Sequence, residues 1–186
     1  MTQRRIGVIT FPIARAGVEP LSNLINILLK QSDNLLYVIT GNDGSKIANI
    51  DTRIQSVNIY HQLKQSLFGR AISYAITQIR ISMSVYLMAK NVDSWLFFIG
   101  GESLVLPIIS AKITQKPAIL LFAGSDLKSL ESGNGGIIAI FRLFSEINRI
   151  LADKLIVYSS LLISEWNLEK YRHKILIAHE HFLDFT

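Results

Sequence analysis

Three of the four histidines, His173, His179 and His181, fall in or beside the C-terminal stretch KILIAHEHFLDFT, with Glu180 and Asp184 among them. His179 and His181 are two residues apart, so on an extended chain both point the same way, as a metal ion requires. Two imidazoles are not a site, and a third ligand would have to be Asp184 or a distant residue; no metal is expected. His61 stands alone after an apolar run and reads as a surface residue.

A second candidate is the loop FPIARAG, where Arg15 and Gly17 precede a helix N-terminus. Free N–H groups and the helix dipole there could hold an anion, but the loop lacks a GxGxxG or Walker pattern, and Gly17 reads equally as a tight-turn glycine. Gly100 and Gly101 resemble a close-approach turn. Glu102 after them could accept hydrogen bonds from a sugar hydroxyl or be a solvated first-turn glutamate. Asp126, which follows Gly124 and Ser125, reads as the cap of a turn or short helix. Trp95 and Phe97 read as core aromatics.

The elements that must position these residues alternate along the chain. Short apolar runs at Ile6 to Phe11, Leu35 to Thr40, Gln55 to Tyr60, Trp95 to Ile99, Ala118 to Phe122, Leu155 to Tyr158 and Ile175 to Ala178 read as strands. Most lack polar alternation, as parallel strands covered on both faces do. Between them Leu21, Leu24, Ile25, Leu28 and Leu29 make one helical stripe, with Pro20 in its first turn. Further helices are expected over Leu67 to Lys90, Leu104 to Ile113, Ile137 to Leu151 and Leu161 to Tyr171. In the helix ending at Leu151 the apolar stripe is Ile137, Ile140, Phe141, Phe144, Ile147 and Leu151, with Arg142, Glu146 and Arg149 outside it.

This order predicts an α/β, Rossmann-like doubly wound, mostly parallel sheet of about seven strands with helices on both faces. Ligands bind such sheets beyond the carboxyl ends of the strands. The loops expected at that edge are Pro12 to Gly17, Gly100 to Ser103, Gly124 to Asp126, Ser159 with Ser160, and His179 to His181.

The chain has 186 residues, 49% of them hydrophobic and 18% charged, which excludes disorder and suits one domain with a large core. No apolar run reaches the roughly 20 residues of a membrane span. MTQRRIGVITF runs into Pro12 without a cleavage site and reads as a first strand rather than a signal peptide. The absence of cysteine removes disulfides and thiolate metal sites and is compatible with a cytoplasmic location. A net charge of +5 points to anionic partners, a phosphorylated substrate or an acidic membrane surface. The basic residues are scattered, so no nucleic acid is expected.

The segment ILADKLIVYSSLLISEWNLEKYRHKILIAHEHFLDFT resembles the end of the N-terminal domain of a GT-B glycosyltransferase of the family 4-like type. In such enzymes a helix leads into a strand of the form ADKIIVxS, followed by a helix, a K-Y-x-x-K-I segment and a strand that exits into the interdomain hinge. Here these are Ala152 to Ser159, Leu161 to Trp166, Lys170 to Ile175, and Ile177 to Asp184. The GGES turn and KPAILLFAGSD, similar to the family's K-P-x-I-x-x-x-x-G-x-D, agree with it.

The resemblance implies that residues 1–186 are the acceptor-side half of an enzyme, with the donor-binding domain absent and the isolated domain inactive. The implied activity is metal-independent, retaining transfer of a sugar, of hexosyltransferase type, from a nucleotide sugar to a glycan or lipid-linked acceptor in cell-surface polysaccharide or glycolipid synthesis. No cofactor is implied beyond the nucleotide-sugar co-substrate, held mainly by the missing domain, and the location implied is cytoplasmic, peripheral at the inner face of the membrane. The implied substrate contacts are Arg15, Gly17, Gly101, Glu102, Asp126, Ser159 and His179. The alternative is a stand-alone Rossmann-like module that binds a ligand or partner without catalysis.

Overall fold

A computed structural model of the chain describes residues 4–30, 35–122 and 135–178. The apolar runs form seven strands: β1 (Arg5–Ile9), β2 (Leu35–Thr40), β3 (Ile54–Asn58), β4 (Ser94–Phe97), β5 (Ala118–Leu121), β6 (Lys154–Val157) and β7 (Ile175–Ile177). All pair in parallel, in the order β3-β2-β1-β4-β5-β6-β7. The expected α/β doubly wound sheet is therefore present. Several strands end one or two residues from the expected limits.

Among the described residues five α-helices lie between them: α1 (Val18–Lys30), α2 (Leu67–Met88), α3 (Val105–Ile113), α4 (Gly135–Leu151) and α5 (Leu161–Glu165). Alternate residues of each strand feed opposite cores, because successive side chains point to opposite faces. Val8, Leu36, Val38 and Leu96 pack with Leu21, Leu24 and Ile25 of α1. Ile9, Ile39, Trp95 and Phe97 pack with Ile81 and Val85 of α2 and Ile108 of α3. The sheet thus carries helices on both faces. The crossover through α2 runs from the edge strand β3, past β2 and β1, to β4. This reversal puts the topological switch between β1 and β4.

Two helix expectations need correction. The helix expected to run from Leu161 to Tyr171 stops at Glu165, and a 3-10 segment follows at Glu169–Lys174. Asn167 lies between them with φ of 52°, a left-handed conformation that cannot continue a right-handed helix. In α4 the stripe is turned: Ile140 is exposed, whereas Ser145, Asn148 and Arg149 are buried. Sequence hydrophobicity placed Arg149 outside because a buried guanidinium is legible only through its partner, which lies 47 residues away.

Gly7 shows how tightly the central strands fit. It stands opposite Trp95 in the β1–β4 ladder, and a Cβ there would lie 2.1 Å from the indole ring. Trp95 is fully buried, so its indole is hemmed in by the core. Gly7→Ala should therefore destabilise the fold by about 1–3 kcal/mol, the usual cost of overpacking a core. The urea midpoint measures it, and an unchanged midpoint would show that the indole has room to shift.

Candidate functional site

The first loop of the carboxyl edge is tied to both of its neighbours. Phe11 N–H donates to Ile99 O (3.0 Å) after β4, and Ile13 N–H donates to Gly41 O (3.2 Å) after β2. Thr10 and Thr40 join their hydroxyls at 2.8 Å beneath this loop, both fully buried. Gly100 takes φ of 73° and lies so close to Phe11 that a Cβ would come within 2.6 Å of the phenylalanine Cβ. The turn after β4 therefore needs glycine for its conformation and for the close approach.

Glu102 follows in the 3-10 turn Gly101–Ser103 and is buried. Its Oε2 accepts from Ser145 Oγ (3.0 Å) and from Arg149 Nη2 (3.4 Å), both on α4. Asn148 Nδ2 donates to the carbonyls of Gly101 and Glu102, each at 2.9 Å. Three residues at i, i+3 and i+4 of one helix thus clasp one turn, and this explains the polar buried face of α4. Arg149 also lies 5.6 Å from the Phe122 ring centroid at the end of β5. Among the described residues Asn148 Oδ1 and Arg149 Nε are buried without a hydrogen-bond partner.

On the other side of the switch stands His61, expected from the sequence as a surface residue and here half-buried. Its backbone is gripped by the Asn42 side chain, which accepts from His61 N–H and donates to His61 O, both at 3.0 Å. Its ring meets Phe11 edge-on at 4.8 Å between centroids. Nδ1 lies 2.8 Å from Thr77 Oγ1, and that hydroxyl spends its single proton on Ser73 O at 2.8 Å. With that proton on Ser73 O, Thr77 accepts from the ring, which corresponds to the neutral tautomer with its proton on Nδ1 and Nε2 as an acceptor. Burial also pushes the pKa of His61 below its ordinary value, favouring the neutral form.

Tyr74 completes the frame: its hydroxyl donates to Ser103 O (2.7 Å), and its ring packs with Phe11 and with Phe141 and Phe144 of α4. The loops after β1 and β4, the α2 helix and α4 are thereby joined at one edge.

Of the seven residues singled out from the sequence, Arg15 and Gly17 follow β1, Gly101 and Glu102 follow the adjacent β4, and Ser159 follows β6, two strands farther along. Arg15 is exposed. The Gly17 N–H is already donated to Ala14 O at 2.9 Å, and Glu19 adds a negative charge to the first turn of α1. Ser159 Oγ accepts from Leu161 N–H at 3.2 Å. Asp126 and His179 lie outside the described residues, as do His181 and Asp184. Among the described residues no group of three His, Cys, Asp or Glu could hold a metal. The sequence reading missed His61, Asn42, Tyr74 and the α4 triad. The polar positions Tyr74, Thr77 and Gln78 inside an apolar helix were the one available signal.

No family model matches the sequence, and no curated protein matches it. Solved structures do share the fold. The chain aligns along its whole length with 56% of UGT2 from Phytolacca americana complexed with UDP-2fluoro-glucose and pterostilbene, at a TM-score of 0.68 and 9% identity. It aligns likewise with 54% of Arabidopsis thaliana UGT89C1 complexed with UDP-L-rhamnose, at 0.67 and 13%. For the UDP-GlcNAc 2-epimerase of Neisseria meningitidis bound to UDP-GlcNAc, 93% of the chain covers 46% of that protein, at 0.61 and 10%. The chain is similar to about half the length of these proteins, and the shared architecture is the Rossmann-like fold of GT-B proteins.

Two outcomes follow from the site geometry. Glu102→Ala strands Arg149 in the interior and should cost about 3–5 kcal/mol of stability, whereas Glu102→Leu combined with Arg149→Met should recover most of it. Denaturant titration reads both, and a single-variant loss below about 1 kcal/mol would refute the clasp. His61 should titrate below 6.5 with the proton on Nδ1 in its neutral form, as ring-nitrogen NMR shifts will show. Since its folded pKa is depressed, its contribution to stability is complete above the unfolded value and is lost as pH falls through and below 6.5. The wild-type urea midpoint should accordingly drop more between pH 7.5 and pH 5.5 than that of His61→Gln.

Proposed function

We propose that this chain is the acceptor-side domain of a glycosyltransferase of GT-B architecture. The whole protein transfers a hexose from a nucleotide sugar to a glycan or lipid-linked acceptor, without a bound metal and with retention of configuration. The observation that carries the reading is the reversal of strand order between β1 and β4 of the parallel sheet, with a fold shared along the full chain by UGT2 complexed with UDP-2fluoro-glucose and pterostilbene. In this reading a second domain binds most of the donor, and the carboxyl edge described above faces it. Arg15 supplies a cation toward the diphosphate, and Gly101, Asp126, Ser159 and His179 contribute cleft contacts. Glu102 acts by holding the turn after β4, through Ser145 and Arg149. The protein works at the cytoplasmic face of the membrane, in making a cell-surface polysaccharide or glycolipid.

A second reading, nucleotide-sugar epimerisation, is favoured by the likeness to UDP-GlcNAc 2-epimerase bound to UDP-GlcNAc. Product analysis separates the two, since an epimerase changes the donor with no acceptor present.

The test uses the whole gene product with a panel of nucleotide sugars and lipid and glycan acceptors. Acceptor-dependent release of nucleoside diphosphate is expected, with no turnover by residues 1–186 alone. Arg15→Ala should lower kcat/KM about tenfold or more, the value of one charge-assisted hydrogen bond, with the melting temperature unchanged. Failure to bind or turn over any nucleotide sugar would overturn the proposal.

A further inference from the structure

Helix α2 departs from an ordinary surface helix: beside the buried Ile81 and Val85 its inward face is polar, while much of its outward face is apolar. Its inward face carries Tyr74, Thr77, Gln78 and Ser82, and each is hydrogen-bonded within the protein. Gln78, for example, donates from Nε2 to Ser103 O at 3.2 Å and accepts from Leu106 N–H at 3.0 Å. The outward face carries Phe68, Ile72, Ile79, Met83 and Tyr86, separated by four, seven, four and three residues, so they form one continuous stripe. Phe68 is 78% exposed and Met83 62%. Leu63, just before the helix, and Ile113, on the neighbouring α3, are exposed as well. A patch of this length on a soluble protein marks a surface that is covered by something.

Charge identifies the cover. From Ile54 to Val92 the chain has Lys64, Arg70, Arg80 and Lys90 and no aspartate or glutamate. Arg80 borders the stripe three residues before Met83, and Lys90 lies in the 3-10 turn Ala89–Asn91 that follows the helix. An open groove of about 660 Å³ lies between the segment after β3 and α2, with Ile72 and Ile76 as its apolar wall and Lys64 and Arg80 among its lining. A protein partner would be served by the apolar stripe alone. Apolar side chains bordered by cations, with no carboxylate to repel phosphate, suit the interface of an anionic bilayer. Among the described residues no helix is long and apolar enough to cross a membrane, so this helix would lie on the surface.

We propose that α2 docks in the headgroup plane of an anionic membrane, with its stripe at the acyl boundary and Lys64, Arg80 and Lys90 on lipid phosphates. Because α2 starts beyond the carboxyl end of β3 and holds His61 and Ser103 through Thr77 and Tyr74, docking brings the candidate site to the membrane surface. This deepens the membrane-associated part of the proposed function, and lipid binding is its own readout.

Flotation of the chain with phosphatidylcholine vesicles, with and without phosphatidylglycerol, tests it. Binding should require phosphatidylglycerol and weaken as salt rises. Arg80→Gln should weaken it about fivefold, near 1 kcal/mol for one cation at the surface. Ile79→Asp combined with Met83→Asp should abolish it without changing the circular dichroism or melting temperature, since both side chains are exposed. The proposal fails if the chain does not float with phosphatidylglycerol vesicles, or if the double variant floats as well as wild type. It also fails if sedimentation shows that this face instead joins two copies of the chain, with the double variant monomeric. No nucleotide sugar enters the assay, so failure here and failure of the transferase reading are separately visible.

Discussion

A parallel strand cannot reach its neighbour through a tight turn, so every connection in this sheet must carry the chain back along the strand's length. The rest of the architecture follows from that constraint. The returning segments become helices, the helices cover both faces, and all the strands deliver their carboxyl ends to one edge. Among the described strands, the passage from β3 to β4 through α2 is the only one that must also cross two strands, β2 and β1. It leaves β1 between strands whose following loops diverge, and the loop from Thr10 to Ile13 is bonded to both of them.

The edge is held by polar groups that the core could not tolerate unpaired. Burying Glu102 costs desolvation that only charge and hydrogen bonds can offset, and α4 supplies them from Ser145 and Arg149, while Asn148 secures the adjacent backbone. His61 is held in the same manner by Asn42 through its backbone and by Thr77 through its ring. Groups fixed from several elements at once are preorganised, which is what recognition of a polar ligand requires. Helix α2 links this edge to the apolar outer surface, since its inward hydroxyls and amide serve the site while its outward side chains remain exposed.

Much of this was legible in the residues. Continuous apolar runs such as LLYVIT and AILL identify strands covered on both faces, and Leu21, Leu24, Ile25 and Leu29 are buried on one side of α1 as their spacing demands. Trp95 and Phe97 are core residues, as their place inside a strand implies. Where the reading failed, a distant partner had decided the matter. Arg149 looked solvated because Glu102 was not known to face it, and His61 read as a surface residue because Phe11 and Thr77 are remote in sequence. The helix through Leu161 ended early because Asn167 adopts a backbone that its residue type permits without requiring.

By itself, then, the sequence determined the succession of strands and helices, their buried stripes and the doubly wound class, because these depend on periodicities of two and 3.6 residues that are local properties of the chain. It also determined that the loops after the strands share an edge, since parallel order leaves no other arrangement. Only the tertiary structure decided which groups on that edge are committed to one another and which face of α2 is left apolar to solvent. Those outcomes are set by pairings across roughly 16 to 47 residues of chain, such as His61 with Thr77 and Glu102 with Arg149. Their free energy depends on burial and geometry that no single residue type encodes.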